Sequence, residues 1–290
     1  MNDTPHACAV CWLNGRLVSP GEARVSVFDH GLLYGDGVFE GIRFYRRRPF
    51  KLEAHLDRMF DSARAIALDL PWSRADLADA VAMTVAAYDG DDGYLRLVAT
   101  RGEGALGIDP RNCTNPSLFI IADRLSMVAR ETRERGVRLI IAATRRLSPD
   151  ALDPRIKSLN YLNHILARIE ANHAGADEAI LLDAAGRVAE GTADNIFVVR
   201  CGRLLTPPPV EGALAGITRE TVLELAHEAG VEAAEIPLAP YDLYTADECF
   251  LTGTGAELIP VAQVNGRRMG TCPGPTYLEL ARRFHTLVTG

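Results

Sequence analysis

Lysine is almost absent from this 290-residue chain. Of its 31 Lys and Arg residues, only Lys51 and Lys157 are lysine, and all the others are arginine. An ammonium group can lose its proton and become a nucleophilic amine, whereas a guanidinium stays charged. A lysine that persists in so arginine-rich a chain therefore indicates a role that arginine cannot fill. We expect no such role for Lys51, which lies beside a basic turn, and we assign it to Lys157.

Other features that the chain lacks exclude several classes of protein. No apolar run approaches about 18 residues, so no membrane span is predicted, and the first residues lack the basic start of a secretory signal. The six cysteines are too scattered for a disulfide scaffold, and Cys8-x-x-Cys11 has no second pair at zinc spacing. A net charge of −7 argues against general nucleic-acid binding. We therefore expect a cytoplasmic protein with no metal site and no membrane or nucleic-acid partner.

Apolar periodicity and turn residues predict an α+β protein of two domains. The first domain is expected over 1–122, and the second over 136–290. Residues 123–135 are polar and rich in arginine, and we expect a linker there. The predicted helices cover 51–68, 73–88, 159–174, 216–230 and 273–288, and paired strands account for most of the rest.

One glycine-rich segment invites a nucleotide-binding interpretation. The segment 102–107 has the sequence GEGALG, which matches the glycine spacing of a dinucleotide-binding turn. Such a site needs a helix immediately after the glycines, which aims backbone N–H groups at a pyrophosphate. Pro110 follows instead and disfavours a helix at that place. We therefore predict a flexible loop and no dinucleotide site.

Two charged residues carry most of the chemical information. Lys157 follows an apolar residue where a loop leads into a predicted helix, and a cation there opposes the helix dipole. Burial at such a junction lowers the pKa of an amine and frees it to form an imine with a carbonyl substrate or with pyridoxal phosphate. Glu190 ends a predicted strand before a tight turn, where its carboxylate could pair with a protonated pyridine nitrogen. A surface lysine and a solvated turn glutamate are the alternatives for each residue taken alone.

Backbone donors and hydroxyl groups offer two candidate phosphate sites. Residues 216–218 (GIT) open a predicted helix, and residues 253–255 (GTG) follow a predicted strand. Arg58 could add a bidentate clamp. Tyr94 and Arg96 alternate on one strand and so share a face, where a hydroxyl and a guanidinium suit a substrate carboxylate. Each feature alone is also typical of an ordinary helix cap or of a solvent-facing strand.

These features belong to a longer series of motifs. The chain resembles the fold-type IV, or class IV, pyridoxal-phosphate aminotransferases, a family that includes branched-chain and D-amino-acid aminotransferases and aminodeoxychorismate lyases. The resemblance extends from about Trp12 to Gly270. Its motifs occur in the family's order: YGDGVFEGIRFY at 34–45, HLDRMFDSA at 55–63, YLRLVATRG at 94–102, IKSLNYLN at 156–163, EGTADNIF at 190–197, GITRE at 216–220 and FLTGTGAELIPV at 250–261.

The resemblance implies an α+β fold with a small two-layer N-terminal domain and a larger barrel-like C-terminal domain. It implies pyridoxal 5'-phosphate as the cofactor, with Lys157 as the residue that forms the imine and carries the proton. It assigns further cofactor contacts to Arg58, Tyr161, Glu190, Ile217, Thr218 and Thr254. It assigns the substrate pocket to Tyr34, Phe39, Arg43, Tyr94, Arg96, Gly255 and Ala256.

Within this family, the segment FEGIR at 39–43 and the pair Tyr94 and Arg96 are most similar to the branched-chain subgroup. The resemblance therefore implies transamination of leucine, isoleucine and valine with 2-oxoglutarate, giving 2-oxo acids and L-glutamate. A D-amino-acid aminotransferase, an aminodeoxychorismate lyase and an inactive binding module are the alternatives. Two residues separate Lys157 from Asn160, where many branched-chain enzymes have three. Family members are usually homodimers, so the resemblance implies a homodimer or a higher homo-oligomer, with the 102–107 loop as the expected contact with a neighbouring subunit.

Overall fold

The computed structural model describes residues 6, 8–125 and 129–290, apart from the side chain of Arg130. Two compact units are distinguished, Met1–Leu125 with Ile156–Asn160, and Ser126–Arg155 with Tyr161–Gly290. The domain boundaries expected at 122 and 135 stay a prediction. Parts of the expected first domain (1–5 and 7) and of the expected linker (126–128) lie outside the described residues. Among the helices that the structure describes, none is long and apolar enough to cross a membrane.

The described residues of the first unit form a six-stranded sheet in which all neighbouring strands are antiparallel. In chain order its strands are β1 (Val10–Leu13), β2 (Arg16–Val18), β3 (Gly37–Tyr45), β4 (Arg48–Pro49), β5 (Gly93–Thr100) and β6 (Ser117–Asp123). They lie side by side in the order β2, β1, β6, β5, β3, β4. Asn14 and Gly15 both adopt positive φ, 45° and 102°, which suits the tight turn between β1 and β2.

Two long helices cover one face of this sheet. A short helix α1 (His30–Tyr34) precedes β3, and the long helices are α2 (Leu52–Ala65) and α3 (Arg74–Ala87). Full burial of a large apolar side chain is worth about 1.5–3 kcal/mol, so the apolar layer between helices and strands fixes which face the helices occupy. The fully buried members of this layer include Ile42, Phe44, Leu56, Met59, Leu77, Leu95, Leu97 and Ile120.

The two long helices predicted in this unit are confirmed, and the first of them is shorter than predicted. The helix predicted over 51–68 ends at Ala65, because Ala67 adopts a positive φ of 51° that a helix cannot continue. Ser73 caps α3 and forms a capping box with Asp76, as expected for a serine at the start of a predicted helix. Sequence alone does not predict α1, whose five residues are too few to show a period.

The second unit contains a mixed sheet of nine described strands. They are β7 (Val137–Ile141), β8 (Glu178–Leu182), β9 (Val188–Gly191), β10 (Asn195–Arg200), β11 (Arg203–Thr206), β12 (Ala233–Glu235), β13 (Glu248–Gly253), β14 (Glu257–Val264) and β15 (Arg267–Arg268). Eight of them lie in the order β12, β11, β10, β13, β14, β7, β8, β9, and β15 pairs with β14. β7 is parallel to both of its neighbours, and β11 is parallel to β12.

This sheet curls so that its last strand returns toward its middle. β9 ends the strand order, yet it also contacts β10, to which a tight turn over 191–194 joins it. Within that turn the N–H of Gly191 donates to the carbonyl of Asp194 at 2.6 Å. The curled sheet confirms the barrel-like form that the resemblance implies, and the α+β class is confirmed with it.

Helices flank the curled sheet. The described helices of this unit are α4 (Arg130–Arg135), α5 (Leu162–His173), α6 (Ile217–Glu228), α7 (Pro240–Tyr244) and α8 (Pro275–Thr289). Helix α5 packs on β8, whereas α6 and α8 pack on β13 and on each other. Strand residues supply most of the apolar core, among them Leu139, Ile180, Ile196, Val198, Leu251, Ile259 and Val261.

Two segments differ in detail from the predicted elements. The helix predicted over 159–174 begins only at Leu162, because the residues before it are held in extended backbone, where Ser158 bridges Val38. The segment in which a linker is predicted also contains α4. Hydrophobic periodicity does not predict this helix, because its sequence, RETRER, has no apolar residue.

Candidate active site

Lys157 is held by backbone hydrogen bonds on both sides. The N–H of Phe39 donates to the Lys157 carbonyl at 3.0 Å, and the Lys157 N–H donates to the Ser62 hydroxyl at 3.1 Å. The Lys157 side chain extends over the Phe39 ring, with Nζ 4.6 Å from the ring centroid. An ammonium group over an aromatic face is attracted by the quadrupole of the ring. These contacts fix the position of the amine relative to β3.

Strand register gathers most of the predicted substrate residues of this unit on one face of the six-stranded sheet. Gly41 pairs with Arg96, and Arg43 pairs with Tyr94. Because side chains alternate across a strand and directly paired residues share a face, this face presents Phe39, Gly41, Arg43, Tyr94 and Arg96. Helices α2 and α3 cover the opposite face.

Aromatic rings and a guanidinium lie together on this face. The guanidinium carbon of Arg96 lies 4.4 Å from the Phe39 ring centroid and 5.8 Å from that of Tyr94. A Cβ at position 41 would overlap the Tyr94 hydroxyl, so a larger residue there would displace the Tyr94 side chain. Burial raises the pKa of Tyr94 against the opposing effect of Arg96, so the phenol keeps its proton at neutral pH. The face thus combines apolar rings with a hydroxyl donor and a cation.

Arg58 is anchored by a buried carboxylate on the helix-covered face of the same sheet. Its Nε donates to Glu40 Oε1 at 2.7 Å, and its Nη2 donates to Glu40 Oε2 at 2.8 Å. His55 Nδ1 lies 2.7 Å from Glu40 Oε2, and both of these side chains are fully buried. Burial raises the pKa of Glu40, but the charge of Arg58 and the bond to His55 lower it to about 2. The bidentate interaction of Arg58 is thus made with Glu40, and its contact with a phosphate stays a prediction.

Tyr34 lies at the end of α1. Its hydroxyl accepts a hydrogen bond from the N–H of Gly107 at 2.9 Å, and its ring meets His30 edge to face, with centroids 4.9 Å apart. His30 Nε2 lies 3.0 Å from the carbonyl of Ala105. These contacts tie Tyr34 to the glycine-rich segment 102–107, which is a loop as predicted. The described contacts of Tyr34 do not include the five residues of the sheet face.

In the second unit, Glu190 is a buried carboxylate with several donors. Its Oε1 lies 3.0 Å from Arg146 Nε and 3.4 Å from His164 Nε2, and its Oε2 accepts from the N–H of Leu214 at 2.8 Å. Only 5% of the residue is exposed. Burial raises the pKa of Glu190, but the bond from His164 and the charge of Arg146 outweigh burial and hold that pKa below its ordinary value. A buried carboxylate that stays ionised can accept a further hydrogen bond from a cationic N–H group.

Tyr161 precedes the first turn of α5 and stacks on His164. The two ring centroids are 4.5 Å apart, and the ring planes are 21° from parallel. His164 Nδ1 is buried and makes no hydrogen bond within the part of the chain that the structure describes. The imidazole therefore links Tyr161 to Glu190, since its face carries the phenol ring and its Nε2 reaches the carboxylate.

Helix α6 begins without a side-chain cap. Its N-cap is Gly216, and the first N–H groups of the helix include those of Ile217 and Thr218, which are both buried. A Cβ at 216 would overlap the Asn195 amide, which donates to the Leu214 carbonyl at 2.9 Å, so a larger residue there would disturb this hydrogen bond. Uncapped N–H groups at the positive end of a helix favour an anion.

The second candidate anion site is the turn between β13 and β14. Thr254 and Gly255 are half-buried in it, and Ala256 is buried. Gly253 precedes the turn, and a Cβ at this glycine would lie 2.5 Å from Oδ1 of Asp194. The turn that joins β9 to β10 therefore packs against this second candidate site, and the next residue, Asn195, packs against the start of α6.

Several residues that build these arrangements are not among the predicted site residues. They are Glu40, Gly41, His55, Arg146, His164 and Asp194. Glu40 and Gly41 belong to the quoted motif FEGIR, and strand alternation alone places them on opposite faces of β3. Arg146 and His164 offer no local signal, because they reach Glu190 from parts of the chain that are distant in sequence.

Comparison with known proteins identifies the family. The model of the family described as amino-transferase class IV matches residues 37–264, which is well over half of the chain. The chain belongs to the class IV aminotransferases.

Relatives of this class IV aminotransferase are similar over nearly its whole length. A Methanocaldococcus jannaschii protein with a provisional branched-chain-amino-acid aminotransferase name is 52% identical over 256 residues, 88% of each chain. The structure of the Escherichia coli branched-chain amino acid aminotransferase has a TM-score of 0.94 at 34% identity, covering 97% of this chain and 95% of that one. The branched-chain enzyme of Thermobaculum terrenum, in its PLP-bound form, has a TM-score of 0.87 at 32% identity, covering 96% of this chain and 93% of that one.

Arg146 should stabilise the folded protein because its charge balances that of the buried, ionised Glu190. We expect Arg146→Met to lower the free energy of unfolding by about 3–5 kcal/mol at pH 7, because a buried carboxylate loses its charged partner. The donors around Glu190 lower its pKa in the folded state. Their contribution to the stability of the folded protein is therefore present above the ordinary pKa of glutamate and is lost as pH falls through the lowered pKa. The variant, in turn, takes up a proton at Glu190 in mild acid. Its deficit should therefore be smaller at pH 5 than at pH 7.

The measurement is denaturant unfolding at both pH values. Arg145→Met is the matched control, since Arg145 is the neighbouring arginine and is less buried, so its change should be small at either pH. Equal deficits of Arg146→Met at pH 5 and pH 7 would show that Arg146 contributes packing rather than charge.

Proposed function

We propose that this chain is a pyridoxal-phosphate-dependent aminotransferase of branched-chain L-amino acids, with 2-oxoglutarate as the second substrate. The products are the corresponding 2-oxo acids and L-glutamate. The observation that carries this proposal is similarity to branched-chain aminotransferases over nearly the full length, at 34% to 52% identity. Membership of the class IV family is consistent with the cofactor.

The side chains of each unit suit one part of the cofactor. An aldehyde needs an amine, and Lys157 supplies one that is positioned over an aromatic ring. A protonated ring nitrogen needs an ionised acceptor, and Glu190 is held in that form. A phosphate needs N–H donors, and the uncapped start of α6 provides them. The residues present therefore fit pyridoxal 5'-phosphate, and we assign the remaining contacts to Arg58, Tyr161, Ile217, Thr218 and Thr254.

When bound, pyridoxal phosphate supplies an aldehyde that exchanges the amino group and a ring that withdraws electrons from the substrate Cα. Lys157 would move the proton: its neutral Nζ would take the proton from the substrate Cα as a general base and, as a general acid, would deliver it to the cofactor carbon that carries the aldehyde. Glu190 holds a proton at the pyridine nitrogen by accepting its hydrogen bond. The contacts of Arg146 and His164 with Glu190 serve that step indirectly, because they keep the carboxylate ionised.

The face of the six-stranded sheet opposite α2 and α3 suits an aliphatic amino acid. The rings of Phe39 and Tyr94 offer apolar surface, and the Tyr94 hydroxyl and Arg96 offer polar contacts to a carboxylate. We assign the second carboxylate of 2-oxoglutarate to Arg43 or Arg96. Apolar surfaces separate substrates that differ by one methylene by only about 1–3 kcal/mol, so leucine, isoleucine and valine should all react. We assign further pocket contacts to Tyr34, Gly255 and Ala256.

We further propose that the protein is a homodimer. Leu106 and Ile108, at the glycine-rich loop, are 74% and 85% exposed. Helix α5 also exposes four apolar side chains at helical spacing, and exposed apolar patches of this kind mark interfaces. These four are Leu162, Ile165, Leu166 and Ile169. A second copy of the chain is the occupant we assign to both patches.

A cytoplasmic location completes the proposal. All six cysteines are unpaired. Unpaired cysteines are typical of proteins in a reducing compartment.

Borohydride reduction should attach the cofactor to Lys157 and to no other residue. Reduction fixes an aldehyde cofactor on the lysine that holds it, and Lys51 is the matched control because the chain has no third lysine. Peptide masses should show the pyridoxyl group in the wild type and in Lys51→Arg, but not in Lys157→Arg. The last variant should also lose turnover. A label that persists in Lys157→Arg, or that lies on Lys51, would contradict the assignment.

A panel of three substrates separates the branched-chain activity from its alternatives. We expect kcat/KM for L-leucine with 2-oxoglutarate to exceed that for D-alanine at least tenfold, which is about 1.4 kcal/mol of transition-state free energy. Aminodeoxychorismate should give no product. Preference for D-alanine would establish a D-amino-acid aminotransferase, and pyruvate release from aminodeoxychorismate would establish a lyase. A protein that neither binds the cofactor nor turns over would be a binding module.

The exposed face of α5 should be part of the dimer interface. Sedimentation at micromolar concentration should give a dimer for the wild type and a monomer for Ile165→Glu combined with Leu166→Glu, because buried unpaired carboxylates oppose association. Leu287→Glu, at an exposed position of α8, is the control and should remain dimeric. A monomeric wild type would overturn the dimer, and a dimeric double variant would remove α5 from its interface.

A further inference from the structure

Asp194 is a buried acid with an unsatisfied oxygen. It ends the turn between β9 and β10 and is only 7% exposed. Its Oδ1 makes no hydrogen bond to any residue that the structure describes. Glu178 nearby differs, because it accepts from the Thr192 hydroxyl at 2.6 Å and from Arg168 at 2.8 Å. Burial without such donors favours the protonated form of a carboxylate.

The charges that face Asp194 also favour its neutral form. Glu178 on β8 and Glu190 on β9 are negative, and β13 presents the uncharged Gly253. Arg168 on α5 opposes them, but it is already paired with Glu178. Burial first, and then the charge of Glu178, raise the pKa of Asp194 to about 7. Asp194 therefore exchanges its proton near neutral pH rather than in acid.

The position of Asp194 connects it to the proposed phosphate contacts. Its Oδ1 abuts the backbone of Gly253, where only the absence of a side chain leaves room for the carboxyl group. Thr254 follows directly and is one of those contacts. The next residue after Asp194, Asn195, abuts Gly216 at the start of α6. Residues 194–195 thus support both backbone segments to which we assign the phosphate.

An ionised carboxylate at this position would repel an anion bound beside it, and low-dielectric surroundings would strengthen that repulsion. A carboxylic acid carries no charge and can donate a hydrogen bond. We propose that Asp194 is a positioning residue that, as a neutral carboxylic acid, holds the turn at Gly253 and Thr254 in its anion-binding form. This inference rests on the proposed function, because it takes the cofactor phosphate as the anion.

Linkage between the proton and the anion follows from this role. If phosphate binding favours protonated Asp194, the protein takes up a proton as the cofactor binds, and the affinity falls as Asp194 ionises. Asp194→Asn keeps the shape of the acid and removes its titration. Asp150→Asn is the matched control, since Asp150 is an exposed aspartate of the same unit.

The experiment measures calorimetric affinity for pyridoxamine 5'-phosphate at pH 6 and pH 8.5. This ligand carries the phosphate but cannot bond covalently to lysine. The affinity of the wild type and of Asp150→Asn should fall about tenfold more across this range than the affinity of Asp194→Asn. A tenfold difference corresponds to an Asp194 pKa about one unit higher in the complex than in the free protein. Pyridoxamine, which lacks the phosphate, should show no such difference.

Two further measurements keep the proposal testable if Asp194→Asn fails to fold or to bind the ligand. Wild-type titrations near pH 7, in buffers of different ionisation enthalpy, should show proton uptake on binding. Unfolding of the cofactor-free protein should show a contribution to stability that is present in acid and is lost as pH rises toward and through about 7, because the folded-state pKa of Asp194 is raised. Asp194→Asn should flatten that loss.

The outcomes separate this inference from the function on which it rests. Equal pH dependence of the affinity in the wild type and Asp194→Asn would overturn the positioning role, as would the absence of proton uptake by the wild type. A wild type that binds no pyridoxamine phosphate even at pH 6 would overturn the proposed function, and the positioning role would fall with it.

Discussion

A buried carboxylate that must stay charged is the constraint on which the site of the second unit depends. Glu190 lies where burial favours the protonated acid, yet the chemistry assigned to it requires the anion. The donors that resolve this conflict come from separate elements: Arg146 follows β7, His164 belongs to α5, and Leu214 precedes α6. The curled sheet brings these elements to the end of β9. Fold and protonation state are therefore linked, because loss of the curled arrangement would remove the donors.

In the first unit, a single strand, β3, supplies residues with different roles to the two faces of the sheet. Successive residues of β3 serve opposite faces, so the short motif FEGIR performs two tasks. Phe39 and Gly41 lie on the face opposite the helices, where Lys157 and Arg96 approach the aromatic ring. Glu40 points to the helices and anchors Arg58 in a bidentate pair. A contiguous motif thus encodes both a substrate surface and a rigid support, and a slip of one residue would exchange the two.

Much of this organisation follows from the sequence, because local rules govern it. The scarcity of lysine directs attention to Lys157, strand alternation places Tyr94 and Arg96 on one face, and the turn after Glu190 is evident from its residues. The remainder depends on contacts between distant segments. Helix α5 begins later than predicted, because residues 156–160 bond to β3 instead of entering the helix. Asp194 belongs to a quoted motif, yet only its approach to Gly253 reveals its place in the site.

The protonation state of the cofactor's ring nitrogen tests the central claim most directly. Pyridoxal phosphate labelled with ¹⁵N at the ring can be bound to the wild-type protein and observed by NMR at neutral pH. If its donors keep Glu190 ionised and it accepts the pyridinium N–H, the ¹⁵N chemical shift will be that of a protonated pyridine across the neutral range. A shift typical of an unprotonated nitrogen would contradict the account, because the buried carboxylate would then not be holding the proton.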